Sequence, residues 1–263
     1  MSIPWLLLLC WAVSAVAMAI AFVGARRAGK IGYVDVAWAG LMAVSALLVA
    51  AFAQGTVLSR TLVALFGGLW ALRLCLYLWR RVAHEPEDGR YQALRERFGD
   101  AALPFFVFFQ MQALVVALFA LPFAAVATRT SDPPGWQVLA AALAWMLAVG
   151  GESLADFQLA HFRAKPGNRG RSCRDGLWAW SRHPNYFFEW LHWFTYLLLA
   201  LGSAQWWLAL SGPVLMLLFL YRVSGIPWTE AQSLRSRGED YRRYQREVSA
   251  FFLLPPKQPD PTE

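Results

Sequence analysis

Glu152 and Asp156 stand four residues apart in an otherwise apolar stretch, and Asn185 and Glu189 repeat that spacing further along the chain. Residues four apart on a helix share one face. An ionisable group at the centre of a membrane helix costs ~2.5–3.5 kcal/mol, so such groups face a cavity or a partner. Four acceptor-rich side chains on two adjacent segments suit hydrogen bonding to the hydroxyls and amides of a ligand. Between them, "KPGNRGRSCRDG" (165–176) brings Lys165, Arg169 and Arg171 close to Arg163. Cations in such a loop neutralise phosphates, and they suit anionic lipid equally well. An acidic cavity beside a basic rim predicts a phosphorylated nucleotide cofactor that enters from the cytoplasm.

Asp35, Arg73, Gln110, Gln112 and His192 are the other polar residues within apolar stretches. Asp35 and Arg73 suit either an ion pair between two helices or part of a catalytic site. Gln112 and His192 are expected to clamp helices together. Gln110 and Gln112, two apart, cannot both face one cavity. No G-x-G-x-x-G joins a strand to a helix, no Walker loop occurs, and no His/Cys cluster has metal-ligand spacing. Neither a Rossmann domain nor a metal site is expected. Ser181 and His183 are two apart and do not face each other on a helix, so they make no nucleophilic pair.

The elements that carry these residues read as membrane helices. The 263 residues are 58% hydrophobic and only 16% charged, against about 25% charged in a soluble domain. The pattern predicts an all-α polytopic membrane protein with seven spans, roughly 3–24, 33–54, 58–79, 105–127, 136–160, 187–203 and 206–223. Of the 24 Lys and Arg residues, only Arg60 and Arg129 fall in loops on one side, and Arg73 falls within a helix. All the rest lie in the loops and tail of the other side. That asymmetry puts the N-terminus outside and the tail in the cytoplasm of a bacterial inner membrane. It also accounts for the net charge of +7 without nucleic acid as a partner. Most of the polar residues above then collect in the cytoplasmic half. The stretch 90–100 reads as a short surface helix with Tyr91, Leu94 and Phe98 on one side. The stretch 229–252 reads as two amphipathic helices broken at Gly238, and 254–263 as a frayed end. One membrane-embedded domain is expected over 1–263, with its cofactor half at about 136–255.

The stretches "GLWAWSRHPNYFFEW" and "GEDYRRYQREVSAFFLLPP" resemble the C-terminal half of the steroid 5-alpha-reductase superfamily. With "YVDVAWAG", "LWALRLCLYLWRR" and "GGESLADFQLAHFRAKPGNRGR", nearly the whole chain resembles an uncharacterised bacterial branch of it. The resemblance implies a seven-helix enzyme that reduces an activated carbon–carbon double bond with NADPH. It implies Asn185 and Glu189 at the nicotinamide, Glu152 and Asp156 as further cofactor contacts, and Arg163 as the basic residue after that helix. It places Arg73 and Tyr77 on helix three, and extends the cofactor contacts to Arg182, His183 and Tyr241. The chain departs from the family at the carbonyl-activating pair. The helix-two carboxylate is Asp35, and Trp70 stands where a tyrosine is expected. Indole is a donor but no ordinary acid, so Tyr33 and Tyr77 are the candidates to take that part. The isoprenylcysteine carboxyl methyltransferases are similar in their "RHPxY" stretch and their C-terminal segment.

These features lead to the expectation of an NADPH-dependent reductase acting on a lipophilic, steroid- or terpenoid-like substrate. One alternative is a methyltransferase that uses S-adenosylmethionine on a lipophilic acceptor. The six basic residues between 163 and 182 favour NADPH, whose phosphates need several cations. Another is a non-catalytic lipid-binding or transport protein, which would spread polar groups through the full membrane depth. The expected partners are a lipophilic small molecule and membrane lipid, with oligomeric state left open.

Overall fold

The computed structural model describes residues 1–99, 101–223 and 225–257, which are helical with no strand among them. Part of the tail expected to fray, 258–263, lies outside the described residues. Six segments are long and apolar enough to cross a membrane: Ile3–Ala28, Tyr33–Phe52, Val57–His84, Ala102–Ala127, Gly135–Ala164 and Trp206–Arg237. Their apolar side chains largely face outward. In the most apolar window of Gly135–Ala164 only 22% of residues are buried, so lipid rather than protein covers that surface. The chain is an all-α polytopic integral membrane protein.

The expected span 187–203 takes another form. It comprises α8 (Pro184–His192) and α9 (Phe194–Ala200), of nine and seven residues, two of the twelve α-helices among the described residues, numbered in chain order. At the junction the Trp193 N–H bonds to the Trp190 carbonyl, three residues back, which tightens and interrupts the α-helical ladder. Proline interrupts another span: Pro122 separates α5 (Ala102–Phe119) from α6 (Leu121–Ala127), because it has no N–H to continue the helix.

Two compact units make up the described chain. The first runs from Met1 to Val138 and includes Tyr196–Gly212. It holds α1 (Ile3–Ala28), α2 (Tyr33–Phe52), α3 (Val57–His84), α4 (Gly89–Phe98), α5 and α6. Basic side chains close its helix ends, where carbonyls have no partner within the helix. Arg60 donates to the carbonyls of Ala50 and Ala51 at 2.5 and 2.9 Å, at the end of α2. Arg129, 4% exposed, donates to those of Leu199 and Leu201 at 2.9 and 2.8 Å, at the end of α9. Lys30 donates to Val82, Ala83 and Glu85 at the end of α3. Gln110 joins α5 to α1 through the Ala15 carbonyl at 3.2 Å.

The second unit comprises Leu139–Thr195 and the described chain from Pro213 onward. It holds most of α7 (Gly135–Ala164), α8, α11 (Ile226–Arg237) and α12 (Glu239–Glu247). Gly151 lets α7 and α8 approach, since a Cβ there would enter the Phe188 ring. Gly238, at φ +55°, separates α11 from α12 in a conformation that side chains rarely adopt. The stretch 165–183 is irregular apart from short 3-10 turns, and it is pinned on two sides. Towards α7, the Trp178 indole donates to the Ala155 carbonyl at 2.9 Å, and the Gln158 amide oxygen accepts the Leu177 N–H at 3.0 Å. Towards α12, Asp240 accepts from the Ser172 N–H at 2.6 Å and from Arg174 at 3.2 Å. The Tyr244 hydroxyl donates to the Trp178 carbonyl at 2.5 Å.

Candidate functional site

In the second unit, Glu152 and Asp156 are buried on α7, at 4% and 5% exposure. Glu189 is buried on α8, with Asn185 one turn before it. The Asn185 amide donates to Asp156 at 3.4 Å, a long bond that brings the two pairs together. Arg163, Lys165, Arg169 and Arg171 are exposed where α7 ends. The positive charge of Arg163 reaches Arg237 and Cys173. Among the described residues, no carboxylate pairs with Lys165, Arg169 or Arg171.

Arg182 and His183 both meet Glu230. The Arg182 guanidinium meets Glu230 at 2.7 and 2.6 Å and donates to the Gln245 and Val248 carbonyls at 3.1 and 2.6 Å. It thus closes the C-terminus of α12 and ties α11 to the entry of α8. Glu230 also accepts from the Gln245 amide at 2.9 Å. The His183 ring lies 3.3 Å from Glu230 and stacks on Tyr186 at 5.3 Å between centroids. Burial holds its imidazole below the ordinary value, although Glu230 pulls the other way. The Ser181 hydroxyl donates to the Phe251 carbonyl at 2.8 Å and accepts the His183 N–H. Tyr241 packs with Tyr244, Val248 and Leu234. Burial and then the Glu230 charge push its phenol up to about 12.

The first unit carries a separate polar cluster. Asp35, in the first turn of α2, accepts from the Tyr91 hydroxyl at 2.7 Å and from Arg90 at 3.1 Å. Tyr91 is 3% exposed, and burial, followed by the Asp35 charge, raises its pKa well above the ordinary value. Asp88 caps α4 and pairs with Arg81 and Arg90 at 2.8 and 3.1 Å. Burial disfavours its carboxylate, but Arg90 and then Arg81 outweigh that and lower its pKa. Glu87 accepts from Arg95 at 2.9 Å and from the Ile31 N–H. Asp35, Tyr91, Leu78, Val82 and Lys30 line a small open pocket. Tyr33 packs on Trp79 at 5.8 Å. Arg73 and Tyr77 are half-buried on α3, and Trp70 is fully buried there.

Sequence reasoning missed Tyr91, Glu230 and Arg237 as members of these clusters. Tyr91 was placed on the apolar side of a surface helix, and nothing in its spacing joins it to Asp35. Glu230 gave no signal, because its partners Arg182 and His183 are distant in sequence.

A helical membrane protein with two polar constellations, one on α7 and α8 and one where α4 meets α2, is the class that fold and geometry define. The chain belongs to DUF1295, a family described as a protein of unknown function, whose model matches residues 21–248 and so includes both constellations. No curated protein matches the chain.

Proposed function

We propose that this protein is an NADPH-dependent reductase of an activated carbon–carbon double bond in a lipophilic substrate, a member of the steroid 5-alpha-reductase superfamily. The observation that carries this is the set of buried carboxylates Glu152, Asp156 and Glu189 with half-buried Asn185, whose amide links the two helices by its bond to Asp156. Membranes seldom retain such groups without a use.

The donor set fits the cofactor. Asn185 spends one amide hydrogen on Asp156 and keeps its oxygen and second hydrogen for a carboxamide. Glu152 and Glu189 are acceptors for hydroxyls. Arg163, with Arg237 in its field, is the cation for phosphate. NADPH, when bound, supplies the hydride. Asp156 holds the Asn185 amide in one orientation, and the apolar wall of Phe188 against Gly151 excludes water from that stretch of α7. In the first unit, Asp35 accepts the Tyr91 hydroxyl hydrogen and so holds that proton on the phenolic oxygen. Arg182 and His183 support the cofactor unit through Glu230 rather than by direct contact.

The N-terminus is outside and the basic loops are cytoplasmic. The two arginines on the minority side, Arg60 and Arg129, are both consumed in capping helices, so neither weakens the charge asymmetry as a topological signal. In this arrangement α8 and α9 together make the seventh crossing. Calorimetric titration of detergent-purified protein with NADPH and with S-adenosylmethionine tests the assignment. Saturable binding of NADPH is expected. Binding of the methyl donor alone would move the protein to the methyltransferases, and binding of neither would favour a lipid carrier.

A further inference from the structure

Lys165, Arg169 and Arg171 are three exposed cations on one short loop of their unit. Arg174, Arg182, Arg242, Arg243 and Arg246 each have a carboxylate within 4.0 Å. Lys165, Arg169 and Arg171 have none among the described residues, and all three are exposed. They follow the end of α7 directly. The helix presents an exposed apolar seam at Leu139, Leu143, Met146, Leu147, Leu154 and Phe157. From Leu139 to Phe157 the seam is about 27 Å long at 1.5 Å per residue, close to the ~30 Å apolar thickness of a bilayer. Ser153, exposed within it, returns its hydroxyl hydrogen to the Val149 carbonyl at 2.6 Å, as a hydroxyl facing hydrocarbon should. His161, exposed and stacked on Phe157 at 6.1 Å, follows one turn later. The unpaired cations come immediately after, where headgroups begin.

A second feature lies on the same loop. Trp180, Phe252 and Leu254 are 47%, 51% and 53% exposed. The bond from the Leu254 N–H to the Trp180 carbonyl, at 3.0 Å, holds two of these apolar side chains on adjoining strands of backbone. Exposed Trp and exposed cations on one loop mark a membrane–water interface.

The structure assigns Lys165, Arg169 and Arg171 to the phosphates of anionic membrane lipid, with Trp180, Phe252 and Leu254 dipping into the interface alongside. The three cations thereby leave the cofactor, whose phosphates fall to Arg163 and Arg237. Each cation near an anionic surface contributes roughly fivefold in affinity, so the three together contribute about a hundredfold.

The test is titration of short-chain phosphatidylglycerol, and separately phosphatidylcholine, into detergent-solubilised full-length protein, with Trp fluorescence as the signal. The wild type should prefer phosphatidylglycerol, and the preference should shrink in high salt. The triple variant K165Q/R169Q/R171Q should lose about a hundredfold in affinity for phosphatidylglycerol and keep its thermal midpoint in neutral detergent. The single variant Arg169→Glu provides the same reading with less perturbation. Equal affinity for the two lipids, or a triple variant that binds phosphatidylglycerol as the wild type does, would overturn the assignment. NADPH titration of the same variant separates this outcome from the reductase assignment. Lost nucleotide affinity with intact lipid affinity would return the three cations to the cofactor.

Discussion

Replacing Glu230 by Ala should destabilise the second unit strongly, because Glu230 is the hub to which three other side chains are tied. It accepts from Arg182 at 2.7 and 2.6 Å, from Gln245 at 2.9 Å, and lies 3.3 Å from His183. The Arg182 side chain is only 10% exposed and the Glu230 side chain 17%. Removing one member of a buried ion pair costs ~3–5 kcal/mol, since the remaining charge is stranded. Arg182 keeps the Gln245 and Val248 carbonyls as acceptors, which places the cost near the lower end, about 3 kcal/mol. At ~2–4 °C per kcal/mol for a chain of this size, the thermal midpoint should fall by about 6–12 °C. Glu230→Gln keeps volume and an acceptor and loses only the charge-assisted part, ~1.5–3 kcal/mol. Arg182→Ala should be worse than Glu230→Ala, because it also opens the end of α12. The double variant should be less destabilised than the two single effects combined, since one pair is lost rather than two. Thermal unfolding in detergent, followed by intrinsic fluorescence, reads all four proteins. A shift below about 2 °C for a folded Glu230→Ala protein would refute the structural role given to Arg182 and return it to ligand binding.

Gly151→Ala should cost ~1–3 kcal/mol in the same assay, because the new methyl group meets the Phe188 ring and α7 and α8 must separate. Asp35→Asn should weaken the attachment of α4, leave the buried Tyr91 hydroxyl with a poorer acceptor and cost ~1–3 kcal/mol. Limited trypsin digestion should then cut sooner at Arg90, Arg95 and Arg97. Tyr241 gives a pH test. Its phenol is raised from an ordinary 10.0 to about 12, so the neutral form is favoured in the folded state. The stability it contributes is intact below pH 10 and is lost as pH rises from there through about 12. Alkaline unfolding should set in over that window, and Tyr241→Phe should remove part of the pH dependence.

The all-α membrane character was legible in the sequence because apolar runs of about twenty residues have few other uses. The turn at Gly238 was equally plain, since glycine alone interrupts two amphipathic helices there. The division of 187–203 into α8 and α9 was not, because Trp193 is as apolar as its neighbours and composition does not record a change from four-residue to three-residue bonding. That Glu152 and Asp156 share one helix face and Asn185 and Glu189 another was legible from spacing, but the bond from Asn185 to Asp156 was not. The pairing of Asp35 with Tyr91 and Arg90 did not, since it depends on how α4 folds back after the turn at Pro86–Asp88. Spacing speaks for groups on one helix and is silent about groups brought together by a loop.

Hydrogen exchange with and without NADPH tests the central assignment most directly, because it reports where a ligand sits. Saturating NADPH should slow exchange in peptides that contain Glu152–Asp156 and Asn185–Glu189, and the protection should vanish in Asn185→Ala protein. An exchange pattern unchanged by NADPH over those two segments in folded wild-type protein would contradict the assignment of a cofactor chamber to α7 and α8.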